Sequence, residues 1–428
     1  MRITIITVGT YGDIAPLVAL GYGLQKHGHS VRVATHRTFA DLVRACGLDF
    51  FPVHGDPQDI LQTGSGQHWL RTSGNPVRFL ARMRGLAKEH IRPLMVDCIR
   101  ALGDTDAIVF SQIGIALPDE VLLSLHKPVC LALLKPLTQT SAYPSAHFPQ
   151  LTRWPKSLAH WYNRTTYAIY LRMLWRLSRP YLQEVVPNQL GVQLPTSDWI
   201  EQRFRKQQVP VVYGYSPTLL PPPADWGTNN YVTGFWPLPP QGNWEPSQEL
   251  REFVGQGYPL VYVGFGSMVD REQEQLIMLA VSALQAVGAR GIIATGWNQA
   301  VTLPMPKTIL ITKEIPHEWL FPHMEAIVHH GGIGTFAASL RAGRPMVCVP
   351  YFSDQPFWSN LAFSLGVSPR PVPRRRLTSS NLTAALHIAL RDSAMRQRAR
   401  AIGEALTHED GVASAAATIN HLFTNWAE

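Results

Sequence analysis

Cysteine is scarce in this chain and its members stand apart: Cys46, Cys98, Cys130 and Cys348 are the four in 428 residues, and no two share a paired spacing. That argues against a disulfide framework and against a cysteine-built metal centre, and it suggests a cytosolic address. Charged residues make up 16% of the chain against 46% hydrophobic, a balance that excludes wholesale disorder and a fibrous repeat. Long apolar runs are missing too. None reaches the roughly 18 residues of a membrane span, and the apolar opening "RITIITV" is cut short by Gly9, Gly12 and Asp13, so no signal peptide is read there. Zinc-finger spacing, RNP-like motifs and long basic tracts do not occur, which makes nucleic acid the least favoured partner.

What is present is a basic excess and a repeated pattern. Net charge is +8, mostly arginine, and such a surplus attracts phosphate ligands or anionic lipid surfaces. A length of 428 residues favours two or three domains. Short β-branched runs recur between helical stretches: "RITIITV", "SVRVAT", "AIVF" and "VCLALL" in the first half, "PLVYVGF", "GIIAT", "TILIT", "AIVH" and "MVCV" in the second. This alternation predicts two α/β domains, each a parallel sheet covered by helices. Proline-rich "SPTLLPPPADW" and "WPLPPQGNWEP" lie between them and prevent a continuous helix or central strand. The expected division is therefore 1–215 for an N-terminal domain, 216–245 for a connection, 246–408 for a C-terminal domain, and 409–428 for a last helix returning to the first domain. Residues 152–192 are rich in aromatic and basic side chains. They read as an amphipathic helix that packs on its own domain, walls an apolar ligand site or rests on a membrane.

The chemistry concentrates in "HHGGIGTF" at 329–336. A glycine turn opening a helix leaves backbone amides free to bind an anion. Its glycines, Gly331, Gly332 and Gly334, do not follow the dinucleotide G-x-G-x-x-G pattern, and no G-x-x-x-x-G-K-[ST] is found anywhere. His330 and the hydroxyl of Thr335 add donors for a diphosphate. Downstream "PYFSDQP" sets Asp354 and Gln355 past the strand "MVCV", at the carboxyl edge where α/β sheets hold ligands. An acid and an amide suit sugar hydroxyls, so the combination points to a nucleotide sugar.

With these residues in view, the chain resembles the nucleotide-sugar-dependent glycosyltransferases. It is most similar to the sterol glucosyltransferases and the bacterial enzymes that glycosylate natural products. The likeness is carried by "EIPHEWLFPHMEAIVHHGGIGTFAASLRAGRPMVCVPYFSDQ" at 314–355, by "TVGTYGDIAPLVALGYGLQKHGHSVRVAT" at 7–35, and by "YVTGFW" and "VGFGSM". The resemblance implies two Rossmann-like domains facing each other across a cleft, the GT-B type. It also implies diphosphate contacts from Ser267, His330, Gly332, Gly334 and Thr335, a base bordered by Ile315 and His317, and a sugar met by Asp354 and Gln355. Where plant members of the superfamily have a glutamate for the ribose, this chain has Ala338.

Transfer to an alcohol needs a group to take its proton. Asp13, after the glycines that follow the first strand, is either that base or a plain cap of the first helix; the resemblance favours the base. The expected reaction is an inverting displacement needing no metal and no cofactor beyond a UDP-sugar co-substrate, with glucose passing to a sterol, terpenoid or carotenoid hydroxyl. The alternatives are a dTDP-deoxysugar transferase acting on a polyketide or peptide, a sugar-nucleotide epimerase, or a non-catalytic binding relative. "DTD" at 104–106 reads as a turn into a strand and not a metal motif. In "KHGHS", His27 and His29 are expected to face solvent, and "RRR" at 374–376 is expected to be a solvated loop.

Overall fold

The computed structural model describes residues 1–56, 90–151, 154–196, 199–239, 244–257, 259–266, 273–296, 304–313 and 315–426. Its chain divides into two compact units, Met1–Gln241 with Glu409–Glu428, and Gly242–His408.

The first unit is built on a seven-stranded sheet of order β3-β2-β1-β4-β5-β6-β7. Its strands are β1 Arg2–Ile6, β2 Ser30–His36, β3 Asp49–Val53, β4 Ala107–Phe110, β5 Val129–Leu133, β6 Val211–Tyr213 and β7 Asn230–Val232. Every pairing is parallel. The expected runs form β1, β2, β4 and β5, and the last two are buried along their whole length, as a parallel sheet covered on both faces requires. β7 falls within the proline-rich segment and pairs with β6, so part of that segment is an edge strand of the first sheet. The helix Tyr11–Lys26 follows β1, and the helix Gly411–Thr424 packs against it. Gly23 makes that approach close: a Cβ there would stand 2.7 Å from Val412 Cγ1. His29 is buried, not solvated, because its Nε2 meets Asn420 Oδ1 of the last helix at 2.9 Å.

The second unit has a five-stranded parallel sheet of order β10-β9-β8-β11-β12. Its strands, β8 Leu260–Gly264, β9 Arg290–Ala294, β10 Ile309–Thr312, β11 Ala326–His329 and β12 Met346–Cys348, are the five expected runs. Alternate residues of β8 serve opposite faces: Val261 and Val263 join one apolar cluster, Leu260 and Tyr262 the other.

The segment 152–192 is mostly one helix, Lys156–Leu190. Its Thr166, Tyr167, Tyr170, Leu171 and Trp175 are buried against the first unit, which is the plainest of its expected roles. The "DTD" carboxylates are held by arginine: Asp104 pairs with Arg2 and Arg32, and Asp106 accepts the Arg2 N–H at 2.7 Å. Arg32 hydrogen-bonded to Asp104 keeps its carboxyl below the usual range. These acids are occupied as a turn into β4.

A buried guanidinium fixes the turn that leaves β4. Arg203 donates to Asp119 Oδ1 at 2.6 Å and to the carbonyls of Ile115 at 2.8 Å and Leu117 at 2.6 Å. Removing it strands a buried carboxylate and two carbonyls, so Arg203→Ala should lose about 3–5 kcal/mol, read as a lowered urea midpoint.

Candidate active site

In open parallel sheets, ligands sit beyond the carboxyl ends of the strands where the strand order reverses. In the second unit that place lies between β8 and β11, and the two turns leaving these strands are Phe265–Gly266 and His330–Gly332.

The turn after β11 is fixed from inside by His329. Its ring is fully buried, Nδ1 accepts the Gly331 N–H at 3.0 Å, and Nε2 lies 3.4 Å from Met346 Sδ. Accepting at Nδ1 places the ring proton on Nε2, and burial holds the imidazole neutral, well below its ordinary pKa. Gly331 has φ +84°, and a Cβ would lie 2.4 Å from Ser359 Oγ, so only glycine fits.

His330 goes the other way and is half-buried. Its ring lies close to two glycines: a Cβ on Gly266 would come within 2.8 Å of Cε1, and one on Gly332 within 2.3 Å of Nε2. Desolvation lowers this ring to about 4, with Asp354 pulling in the opposite direction. Gly332 caps the helix Ile333–Arg341. The leading amides of that helix, those of Ile333, Gly334 and Thr335, have no acceptor within it and form an anion-binding end. Gly334 is exposed, and outside its own turn of helix no described residue lies within 4 Å of the position its Cβ would take.

The other expected donor residues lie nearby in sequence order but differ in what they do. His317 opens a short helix, stacks on Phe321 with ring centroids 4.2 Å apart, and has Tyr262 Oη 3.5 Å from Nε2. Burial lowers it to about 4, helped by His330. Ile315 belongs to the apolar cluster of Tyr262, Leu320 and Phe321, against which Ala338 also packs. Gln355 turns its side-chain oxygen inward, accepting the amides of Tyr351 at 2.8 Å and Phe352 at 3.2 Å. This supports Ser353, whose φ is +58°. Asp354 Oδ2 accepts the Trp358 indole N–H at 2.9 Å. Both side chains therefore shape the turn after β12 as well as border it. Ser267 lies outside the described residues.

In the first unit the strand order reverses between β1 and β4, and Asp13 stands there, on the third residue of the first helix. Its Oδ2 accepts the Thr10 N–H at 2.9 Å and the Thr10 hydroxyl at 3.0 Å. The carboxylate thus does cap the helix, but from its third residue, with Thr10 as N-cap and the helix starting at Tyr11, three residues before Ile14, the start that a cap at Asp13 itself implies. Gly9, at φ +133°, permits it: a Cβ would lie 2.5 Å from that same oxygen. Two residues passed over by sequence reasoning touch the turns. One is His329; the other is His36, whose Nε2 accepts the Gly9 N–H at 3.2 Å. Among the described residues no group of three His, Cys, Asp or Glu could hold a metal ion.

Residues 3–102 match the glycosyltransferase family 28 N-terminal domain, and residues 279–415 match the erythromycin biosynthesis protein CIII-like C-terminal domain. Over 97% of its length the chain is 32% identical to the sterol 3-beta-glucosyltransferase UGT80B1 of Arabidopsis thaliana, of which it covers 67%. It is 34% identical to UGT80A2 of the same plant and covers 64% of it. A sterol 3-beta-glucosyltransferase of Emericella nidulans is 33% identical, and the chain spans 29% of that longer protein. Among solved structures, the calicheamicin glycosyltransferase CalG4 aligns with TM-score 0.65 at 18% identity, covering 100% of this chain and 99% of CalG4. The glycosyltransferase VinC in complex with dTDP aligns with TM-score 0.66 at 16% identity, covering 99% of this chain and 100% of VinC.

Two outcomes follow from the glycines and the buried rings. Gly332→Ala pushes the His330 ring aside and should destabilise by about 1–3 kcal/mol, whereas Gly334→Ala should change stability by no more than about 0.5 kcal/mol; chemical denaturation separates them. His317, His329 and His330 are each neutral in the fold with pKa values below 6.5. Their contribution is fully present above that value and is lost as pH falls, for His317 and His330 through about 4, because the unfolded chain binds the protons first. The melting midpoint should fall over that window, and His317→Phe should flatten the fall.

Proposed function

Since the chain belongs to the nucleotide-sugar-dependent glycosyltransferases of the GT-B fold, in the group that includes the sterol glucosyltransferases, we propose that it moves glucose from UDP-glucose to the hydroxyl of a sterol or similarly apolar alcohol. The observation that carries this reading is the glycine turn after β11, where His330 and the first amides of a helix converge on one open edge.

The mechanism is a single displacement with inversion. The acceptor oxygen bonds to the anomeric carbon as the carbon–oxygen bond to the diphosphate breaks, the electron pair leaves with the nucleoside diphosphate, and the hydroxyl proton passes to Asp13. Negative charge grows on the leaving oxygen, and the His330 N–H with the amides of Gly332 to Thr335 meets it. At neutral pH a ring with a pKa of about 4 supplies an N–H and no formal charge, and Ser267 and Thr335 add hydroxyl donors. These groups cover the leaving diphosphate without a metal or a further cofactor. Asp354 and Gln355 meet the sugar and His317 the base. The solved relatives in complex with dTDP and thymidine diphosphate support a second reading in which thymine replaces uracil in the donor.

The acceptor reading rests on the relatives named as sterol glucosyltransferases and on the aromatic side chains packed in the first unit. His147 stacks on Tyr170 at 4.2 Å and Tyr213 on Trp226 at 4.9 Å. An apolar alcohol resides in membrane, and the long helix offers a face for one. Leu158, Trp161 and Ile169 are exposed, and the same helical spacing continues into exposed Arg172, Arg176 and Arg179. We assign this stripe a peripheral contact with anionic lipid, apolar side chains entering the interface and arginines meeting headgroups. No described helix is long and apolar enough to cross a membrane.

Release of UDP from UDP-glucose in the presence of a sterol panel tests the activity, with dTDP-glucose run in parallel. Asp13→Asn, which keeps an acceptor for the Thr10 amide, should lower turnover by about a thousandfold while UDP affinity changes little; retained turnover would remove Asp13 as the base. Sedimentation with phosphatidylserine vesicles should show several-fold weaker binding for Leu158→Ser combined with Trp161→Ser, and equal binding would dismiss the lipid face.

A further inference from the structure

The carboxylate assigned as base is not the end of its own support. β2 lies beside β1 with Ile6 opposite Ala34, so the last residue of β2, His36, comes level with the chain as it leaves β1. There its Nε2 accepts the N–H of Gly9 at 3.2 Å. Gly9 is the residue that folds under Asp13, at a φ of +133° and with no room for a Cβ against Oδ2.

We propose that His36 is a positioning residue for Asp13: a neutral imidazole that holds the Gly9 peptide and thereby keeps the carboxylate folded onto Thr10, turned for proton transfer. The proposal deepens the functional reading above and rests on it. An acceptor is needed at Nε2, and imidazolium has none. The surroundings supply the neutral form. His36 is 5% exposed, and burial lowers its pKa against the upward pull of Asp56 and of the backbone of His54 and Gly55. The titratable groups that act on it, Asp56 and His54, come from the segment after β3, and His54 itself stacks on His90 at 5.8 Å. The second unit uses the same device independently: His329 accepts the N–H of Gly331, also at positive φ, at 3.0 Å. In both units a buried ring at a strand's carboxyl end fastens the glycine of the turn beside it.

Three variants and one spectrum decide it. His36→Phe fills the space and removes the acceptor; it should lower kcat by about a hundredfold, the usual cost of a slightly misplaced reacting group, with the KM for UDP-glucose within about twofold. His36→Gln restores an acceptor oxygen and should recover most of that loss, and Asp13→Asn on the His36→Phe background should cost about tenfold more, not the thousandfold it costs alone. Full kcat in His36→Phe, equal losses in the Phe and Gln variants, or a loss carried by KM would each overturn the proposal. Nitrogen NMR of the wild-type protein at pH 7.5 should show His36 Nε2 without its proton, coupled across the hydrogen bond to the Gly9 amide. A protonated Nε2 would overturn the positioning whatever the kinetics. If Asp13→Asn alone kept its turnover, the base assignment would fall while this spectrum still reported on the bond.

Discussion

The whole arrangement depends on a steric condition at strand ends: a chain leaving a parallel strand must turn sharply before its helix begins, and it can do so here only where a Cβ is missing. Gly9 makes room for the Asp13 carboxylate, Gly331 for Ser359, and Gly266 with Gly332 for the His330 ring. Backbone freed in this way comes close enough for its amides to serve as donors. The same turns lie where each sheet reverses its strand order, so that geometry and chemistry fall on one edge of each unit.

Electrostatics at the second unit's edge is unusual for a chain of net charge +8. Its three histidines are neutral, because burial outweighs every nearby attraction. The proposed diphosphate is then met by dipoles and N–H groups already oriented, with no loose cation in the first turn of the helix Ile333–Arg341. Preoriented dipoles reorganise little as charge develops, which is the condition for stabilising a leaving group.

Much of this was legible in the sequence, and the misses have physical causes. All five strands of the second unit are apolar runs bounded by turn residues, and all five were found. In the first unit β3 carries Pro52, while β6 and β7 are three residues each, too short to display a period. Asp13 was readable as a base or as a cap; the carboxylate does cap Thr10, and a second function is compatible with it. Gln355 was legible by position, but the inward turn of its oxygen depends on the left-handed Ser353, which no residue type announces. His29, expected in solvent, is covered by a helix nearly four hundred residues away. His36 escaped notice because its partner, Gly9, is met through strand register and not through sequence neighbourhood.

The claim from which the functional account proceeds is that the turn after β11 receives a diphosphate. Titrating isotope-labelled protein with UDP reads this directly, amide by amide. The account predicts that the amides of Gly332, Ile333, Gly334 and Thr335 shift together and saturate at one concentration. Saturable binding that left those four unmoved while shifting amides elsewhere would contradict it.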